Sequence, residues 1–235
     1  MPTRPSQSGA LRICRRSWVG ERVSEQNGAP NETARIEAFS DGVFAIAITL
    51  LILEIQVPPQ TPHGGLRRAL LNLWPSYLAF LASYMTIGVM WLNHHRLFTL
   101  INKKDDGLIA FNLLLLLGVT WLPFPTALLA EHLLGSHADQ KVAALVYAGS
   151  FLALAVVFNV MWHYAIRVGV VNDDVNVGAI TRQYSLGPIL YALLVGVAFF
   201  DAEWCLMLSV LIALYFALPP SLWNRRRSSL RNPVA

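Results

Sequence analysis

Charge is the scarcest commodity in this chain of 235 residues. Only 14% are Asp, Glu, Lys or Arg, against 55% hydrophobic, and the mean hydropathy is +0.48. Soluble domains carry roughly a quarter of their residues as charges, so this composition excludes an ordinary soluble domain and indicates a polytopic membrane protein. Cysteine is nearly absent. Cys14 and Cys205 are far apart and show no metal or redox spacing, so no disulfide framework is expected. A nucleophile elbow, an HExxH pair, a phosphate-binding glycine loop and paired intramembrane carboxylates are all missing, and no enzyme is expected.

Two apparent signals lead nowhere. His94 and His95 are adjacent, hence about 100° apart on a helix, and His132 with His137 is no better spaced, so no metal site is expected. The net charge of +4 and pI near 9.3 come from basic residues beside hydrophobic segments, without a basic face interleaved with aromatics, which argues against a nucleic-acid partner. Residues 1–32 are rich in Arg, Ser, Pro, Gly and Asn and hold no apolar run long enough for a signal-peptide core, so they read as a disordered cytoplasmic tail. Within it, Arg15-Arg16 lacks the hydrophobic region of a twin-arginine signal.

What is present is a series of apolar stretches, read as six transmembrane helices: Thr33 to Gln56, Trp74 to Ile101, Leu108 to Leu129, Val142 to Ile166, Tyr184 to Phe200 and Trp204 to Leu218. They make an all-α membrane domain over 33–223, followed by a basic cytoplasmic tail over 224–235. Pro123 and Pro125 are expected to bend or loosen the third helix near its end. With six spans, fifteen of the 18 Lys and Arg fall on one side, leaving Arg67, Arg68 and Lys141 on the other. By the positive-inside rule both termini are cytoplasmic, which in a bacterial cell places the chain in the inner membrane.

The first helix is the most informative stretch. About 24 residues at 1.5 Å rise give roughly 35 Å, enough to cross a hydrocarbon core of about 30 Å. At about 100° per residue, Phe39, Ile46, Leu50 and Leu53 form one aliphatic stripe with Thr49 beside it, and Asp41 lies on roughly the opposite side. Packing or lipid contact is the plain account of such a stripe. An ionisable residue inside the membrane boundary is costly and is by default a functional pointer. The expected partners of Asp41 are His94 or His95 on the second helix and Asn112 on the third, in a network tying three helices together.

The run Arg35-x-x-x-Phe39-Ser40-Asp41-Gly-Val-Phe-Ala-Ile-Ala-Ile-Thr49-Leu-Leu resembles the first-helix signature of the transmembrane protein 175 family, the endolysosomal potassium channels and their bacterial relatives. Trp91-Leu-Asn-His94-His95-Arg96, then Asn112 with its leucine run and Trp121-Leu-Pro-Phe-Pro, resemble the next two helices of the bacterial members. The resemblance covers about the first half of the chain. It implies a potassium-permeable cation channel without cofactor, assembled as a homotetramer of six-helix units in lipid, with the first helices lining the pore. Ile46, Leu50 and Leu53 match the constricting positions, Thr49 the selectivity layer, and Arg35, Phe39, Ser40 and Asp41 a structural motif whose network includes Trp91, His94, His95 and Asn112.

No Thr-Val-Gly-Tyr-Gly loop is present, so a carbonyl-lined filter is not expected and side chains must form the narrowest part. The alternative is a proton-coupled or ion-exchanging secondary transporter using Asp41 and the membrane histidines. A structural membrane protein is a third class. A transporter favours broken helices at the midplane and an internal repeat, and the first helix shows neither.

Overall fold

The computed structural model describes residues 32–59, 65–101, 103, 105–172 and 176–217, and within them the chain is all-helical. Its helices are α1 (Glu32–Leu50), α2 (Leu66–Asn72), α3 (Trp74–Thr99), α4 (Asp106–Trp121), α5 (Pro123–His132), α6 (His137–Val168), α7 (Val177–Ala198) and α8 (Ala202–Ala217). Glu32 already belongs to α1. The rest of the expected N-terminal tail, the basic tail at 224–235 and Cys14 lie outside the described residues.

Among the described residues, four segments are long and apolar enough to cross a membrane: Thr33–Glu54, Trp74–Thr99, Asp106–His132 and His137–Val168. The other two expected spans form as helices but are weaker. Arg182, Gln183 and Pro188 dilute α7, and α8 has 16 residues.

Local chemistry explains where the helices start and stop. The proline pair loosens the third span at one residue: α4 ends at Trp121, Leu122 keeps α-helical dihedrals, and α5 resumes with Pro123 in its first turn, where the missing N–H costs nothing. Between the expected third and fourth spans, which end at Leu129 and start at Val142, the chain is helical apart from residues 133–136. Ser136 caps α6 by accepting from the Asp139 N–H and donating to its carboxylate at 2.6 Å, so the helix begins at His137. Gly169, at φ 71°, closes the same helix in the left-handed conformation, and the Val170 N–H reaches the Ala165 carbonyl. Asn176 likewise caps α7 through the Ala179 N–H, starting that helix ahead of the expected Tyr184.

At 32 residues, α6 is about 48 Å long and forms the axis of the fold, packing against α4, α5, α7 and α8. Trp162, Tyr147 and Phe151 on α6 are fully buried. α1 packs against α3 and α4 at one side. A backbone bridge between Ile101 and Val171, extended by the Asn172 N–H to the Leu100 carbonyl, joins the connections after α3 and α6, so these two helices finish at one end of the bundle. At that end Asp105 caps α4 through the Leu108 N–H and accepts from the Tyr164 hydroxyl at 2.7 Å. The Tyr164 bond is the main reason its carboxyl sits below the usual carboxylate range.

Candidate functional site

The two faces of α1 are chemically opposite. Ser40, Phe44, Ala47 and Leu51 follow one another at i, i+4, i+7 and i+11, the spacing of a single helix face, and all are buried. Phe39, Ile46, Leu50 and Leu53 are left uncovered, at 57%, 59%, 40% and 69% exposure. From Leu51 to Glu54 the helix tightens to a 3-10 turn, in which residues three apart eclipse, so Leu53 stands above Leu50 more nearly in line than α-helical spacing gives. Thr49 is exposed beside the stripe, its hydroxyl donating to the Ile46 carbonyl at 2.8 Å. Leu50 and Leu53 also border an open groove of about 380 Å³ shared with Thr120, Trp121 and Phe124, where α4 breaks into α5.

The buried tie between the three helices centres on Ser40, not on Asp41. Ser40 donates to the Ile36 carbonyl at 2.8 Å and accepts from Asn112 Nδ2 at 2.9 Å, while Asn112 Oδ1 faces His94 Nε2 at 2.8 Å. The Ile36 carbonyl only accepts, so the donors run one way along the chain and His94 must carry its proton on Nε2. Its Nδ1 is buried without a partner, between the rings of Phe44 and Phe98. Asp41, half-buried, accepts from Trp91 Nε1 at 2.8 Å and is hydrogen-bonded to neither histidine nor to Asn112, which corrects the expected pairing. His95 pairs with Glu37, one turn before Asp41. The physical reason is angular. Ser40 is about 100° from Asp41, so a small hydroxyl enters the packed seam and the carboxylate stays at its wetter margin beside an indole.

Arg35 is exposed and makes no ion pair among the described residues, and Phe39 belongs to the uncovered stripe. Among those residues no group of three or more His, Cys, Asp or Glu is placed to hold a metal ion.

Two polar constructions carry no sequence signature. Pro188 has no N–H for the carbonyl of Tyr184, and Asn159 Nδ2 from α6 supplies the missing donor at 2.9 Å, holding the proline turn of α7. Ser83, Thr126, Tyr147 and Ser209 form a buried hydroxyl cluster linking α3, α5, α6 and α8. Thr126 donates to Leu122, so Ser83 donates to Thr126 at 2.8 Å. Tyr147 in turn meets Ser209 at 3.4 Å. A lone Asn on one helix with a proline on the next, and scattered single hydroxyls, leave no spacing pattern that announces either one.

The model of the family described as endosomal/lysosomal potassium channel TMEM175 matches residues 35–123, which contain all but the first three residues of α1, the whole of α3 and α4, and every residue of the Ser40 tie. A protein of Chamaesiphon minutus named as a potassium channel is 51% identical over 194 residues, covering 80% of this chain and 95% of its own length. Another from Streptomyces collinus, also named as a potassium channel, is 46% identical over 190 residues, covering 79% of this chain and 92% of its own. In structure, the crystal structure of a lysosomal potassium-selective channel TMEM175 homolog from Chamaesiphon minutus superposes with a TM-score of 0.70 at 50% identity, covering 79% of this chain and 96% of that one. This chain belongs to the TMEM175 family, a family of membrane channels and not of enzymes.

Proposed function

We propose that this chain is a potassium-permeable cation channel in which the exposed stripe of α1 lines the pore. One observation carries the reading: on the helix where the family match begins, one face is packed to near-zero exposure while the large side chains on the other stay 40% or more uncovered by the described residues. A single stripe cannot enclose a path, but copies of it around a rotation axis can, and a closed ring of four satisfies that requirement for a chain with one helical unit. Rings of Ile46, Leu50 and Leu53 then close the path by excluding water, and the Thr49 ring offers hydroxyl oxygens in partial replacement of a cation's hydration shell. The hydroxyl proton is already committed to the Ile46 carbonyl, so the oxygen lone pairs remain for the ion.

In this reading α7 and α8 complete six spans, and both termini lie on the cytoplasmic side of the cell membrane. The bridge that brings the α3–α4 and α6–α7 connections to one end supports that topology, because Lys103, Arg167 and Arg182 then share the basic side.

The test is recording from purified protein in a planar bilayer. Unitary potassium currents are expected, from a particle with the mass of four chains. Ile46→Asn should wet the constriction and raise the current, while the same change at Ile48, about 200° around the helix and half-buried, should not. Equal behaviour of the two variants, or a conducting monomer, sends the search for the ion path to the other helices.

A further inference from the structure

Between α6 and α7, with Phe111 of α4 at one wall, runs an open groove of about 580 Å³ that contains no residue of α1 and is unused by the conduction reading. We propose that it is a binding site for an anionic phospholipid, with the acyl chain along the aliphatic floor and the phosphate between Arg167 and Arg182. The inference rests on the membrane topology given above.

The floor and mouth are set by helical spacing. Val156, Val160, His163 and Arg167 line the groove from α6 at i, i+4, i+7 and i+11, a single stripe that begins aliphatic and ends basic. From α7 come Ile189 and Ser185, and Arg182 lies three residues before Ser185 on the same face. The end of α6 and the start of α7 are joined by the short connection after Gly169, so both stripes turn basic at the same end. Val156, Val160 and Ile189 are 44%, 44% and 64% exposed, which leaves apolar surface open for about two turns below the arginines.

That is the polarity of a phospholipid: hydrocarbon deep, phosphate at the surface. Arg167 and Arg182 are exposed and make no ion pair among the described residues. Among the described residues at this end, Asp105 is taken up by the Tyr164 hydroxyl and the Leu108 N–H, and Asp106 beside it makes no ion pair with either arginine. Guanidinium groups bind phosphate oxygens in a fork geometry, and basic pockets between membrane helices on the cytoplasmic side suit anionic headgroups. The width is built in as well. Pro188 lines the groove and interrupts the α7 ladder, and the Asn159 bond to the Tyr184 carbonyl holds that interruption in place. A volume of this size falls within the range of small-molecule and lipid-chain sites. A free phosphate would use the arginines and leave the aliphatic floor bare.

The experiment is native mass spectrometry of the purified assembly incubated with phosphatidylglycerol or with phosphatidylcholine of identical chains, in parallel with inorganic phosphate. The expected result is preferential retention of phosphatidylglycerol, weakened about 25-fold in the double variant Arg167→Gln/Arg182→Gln, at about five-fold per basic residue near the surface. Ile189→Trp, which fills the floor without changing charge, should also lower retention. Equal retention of the two lipids, or retention untouched by all three substitutions, overturns the proposal. So does protection by inorganic phosphate equal to that by the lipid, which makes the site a phosphate site, or a loss of assembly mass in Ile189→Trp, which makes it a contact between copies. Retention is read without current, so a protein that fails to conduct but keeps phosphatidylglycerol refutes the channel reading and leaves this one standing.

Discussion

The two faces of α1 share one backbone and differ in what satisfies them. On the buried face Ser40, Phe44, Ala47 and Leu51 are packed, and among the described residues every buried side-chain polar atom of the seam but one, His94 Nδ1, is engaged. On the exposed face large side chains stay 40% or more uncovered by the described residues. A helix that buries one face this completely has its orientation fixed, so the uncovered face is presented in a fixed direction. The buried tie and the open stripe are therefore one device: Ser40, Asn112 and His94 set the rotation of α1 about its axis, and that rotation decides which residues face outward. A change on the buried side should disturb assembly and, through rotation, conduction. On the open side, a substitution should alter conduction and leave the fold alone.

The largest effect is expected at Asn112. It is the middle member of the chain, and Asn112→Ala strands both Ser40 Oγ, as an acceptor, and the His94 Nε2 proton in a site with no access to water. Each stranded group costs about 1–3 kcal/mol, with membrane examples at the lower end. The melting temperature of the detergent-purified assembly should fall by several degrees, at about 2–4 °C per kcal/mol for chains of this size. Ile46→Asn, on the other face, should not move it. If Asn112→Ala melts like the unaltered protein, the buried chain does not anchor α1 and the division between the faces fails.

Asp41 separates a tie from a relay. The carboxylate is half-buried and its partner is an indole, which donates but does not titrate. Asp41→Asn keeps an oxygen for Trp91 Nε1 and should cost little. Asp41→Ala removes the acceptor and should cost about 1 kcal/mol, visible as a lower assembly yield or a melting shift smaller than that of Asn112→Ala. Normal assembly of Asp41→Ala with altered ion selectivity would move the carboxylate from the tie to the ion path.

How much of this could be read from the residues follows from what kind of signal each one leaves. Apolar length is legible: the segments expected to span are helical, and four reach membrane length. Caps shift the boundaries, as Ser136 and Asn176 do by starting α6 and α7 ahead of their apolar cores. The stripe on α1 is legible from period alone, because exposed and buried positions alternate with the turn of the helix. The centre of the buried tie was not. An argument from the cost of burying charge singles out Asp41, yet that cost is the reason the fold keeps it at the margin and seats Ser40 in the seam. The spacing of Ser40 with Phe44, Ala47 and Leu51 carries that information. The Asn159 to Tyr184 contact depends on how α6 and α7 are brought side by side, and only the three-dimensional packing pairs a freed carbonyl with an amide on another helix.

The smallest change gives the finest test of the open face. Thr49→Val preserves shape at that ring, since valine replaces the hydroxyl with a methyl and keeps the branch at Cβ. The hydroxyl is exposed and donates only to the Ile46 carbonyl of its own helix, a carbonyl that helical bonding already engages, so its loss should leave the melting temperature unchanged. If Ile46, Leu50 and Leu53 form the proposed rings, these are untouched, so current should persist. What disappears is the one oxygen on the stripe able to take the place of water around a cation. Discrimination between potassium and sodium should therefore fall, read as a smaller displacement of the reversal potential under opposed potassium and sodium gradients. An unchanged reversal potential means that the ion does not pass this hydroxyl. The stripe would then be a face held in a fixed direction toward lipid or another copy, with the buried side of α1 still accounting for how it is held.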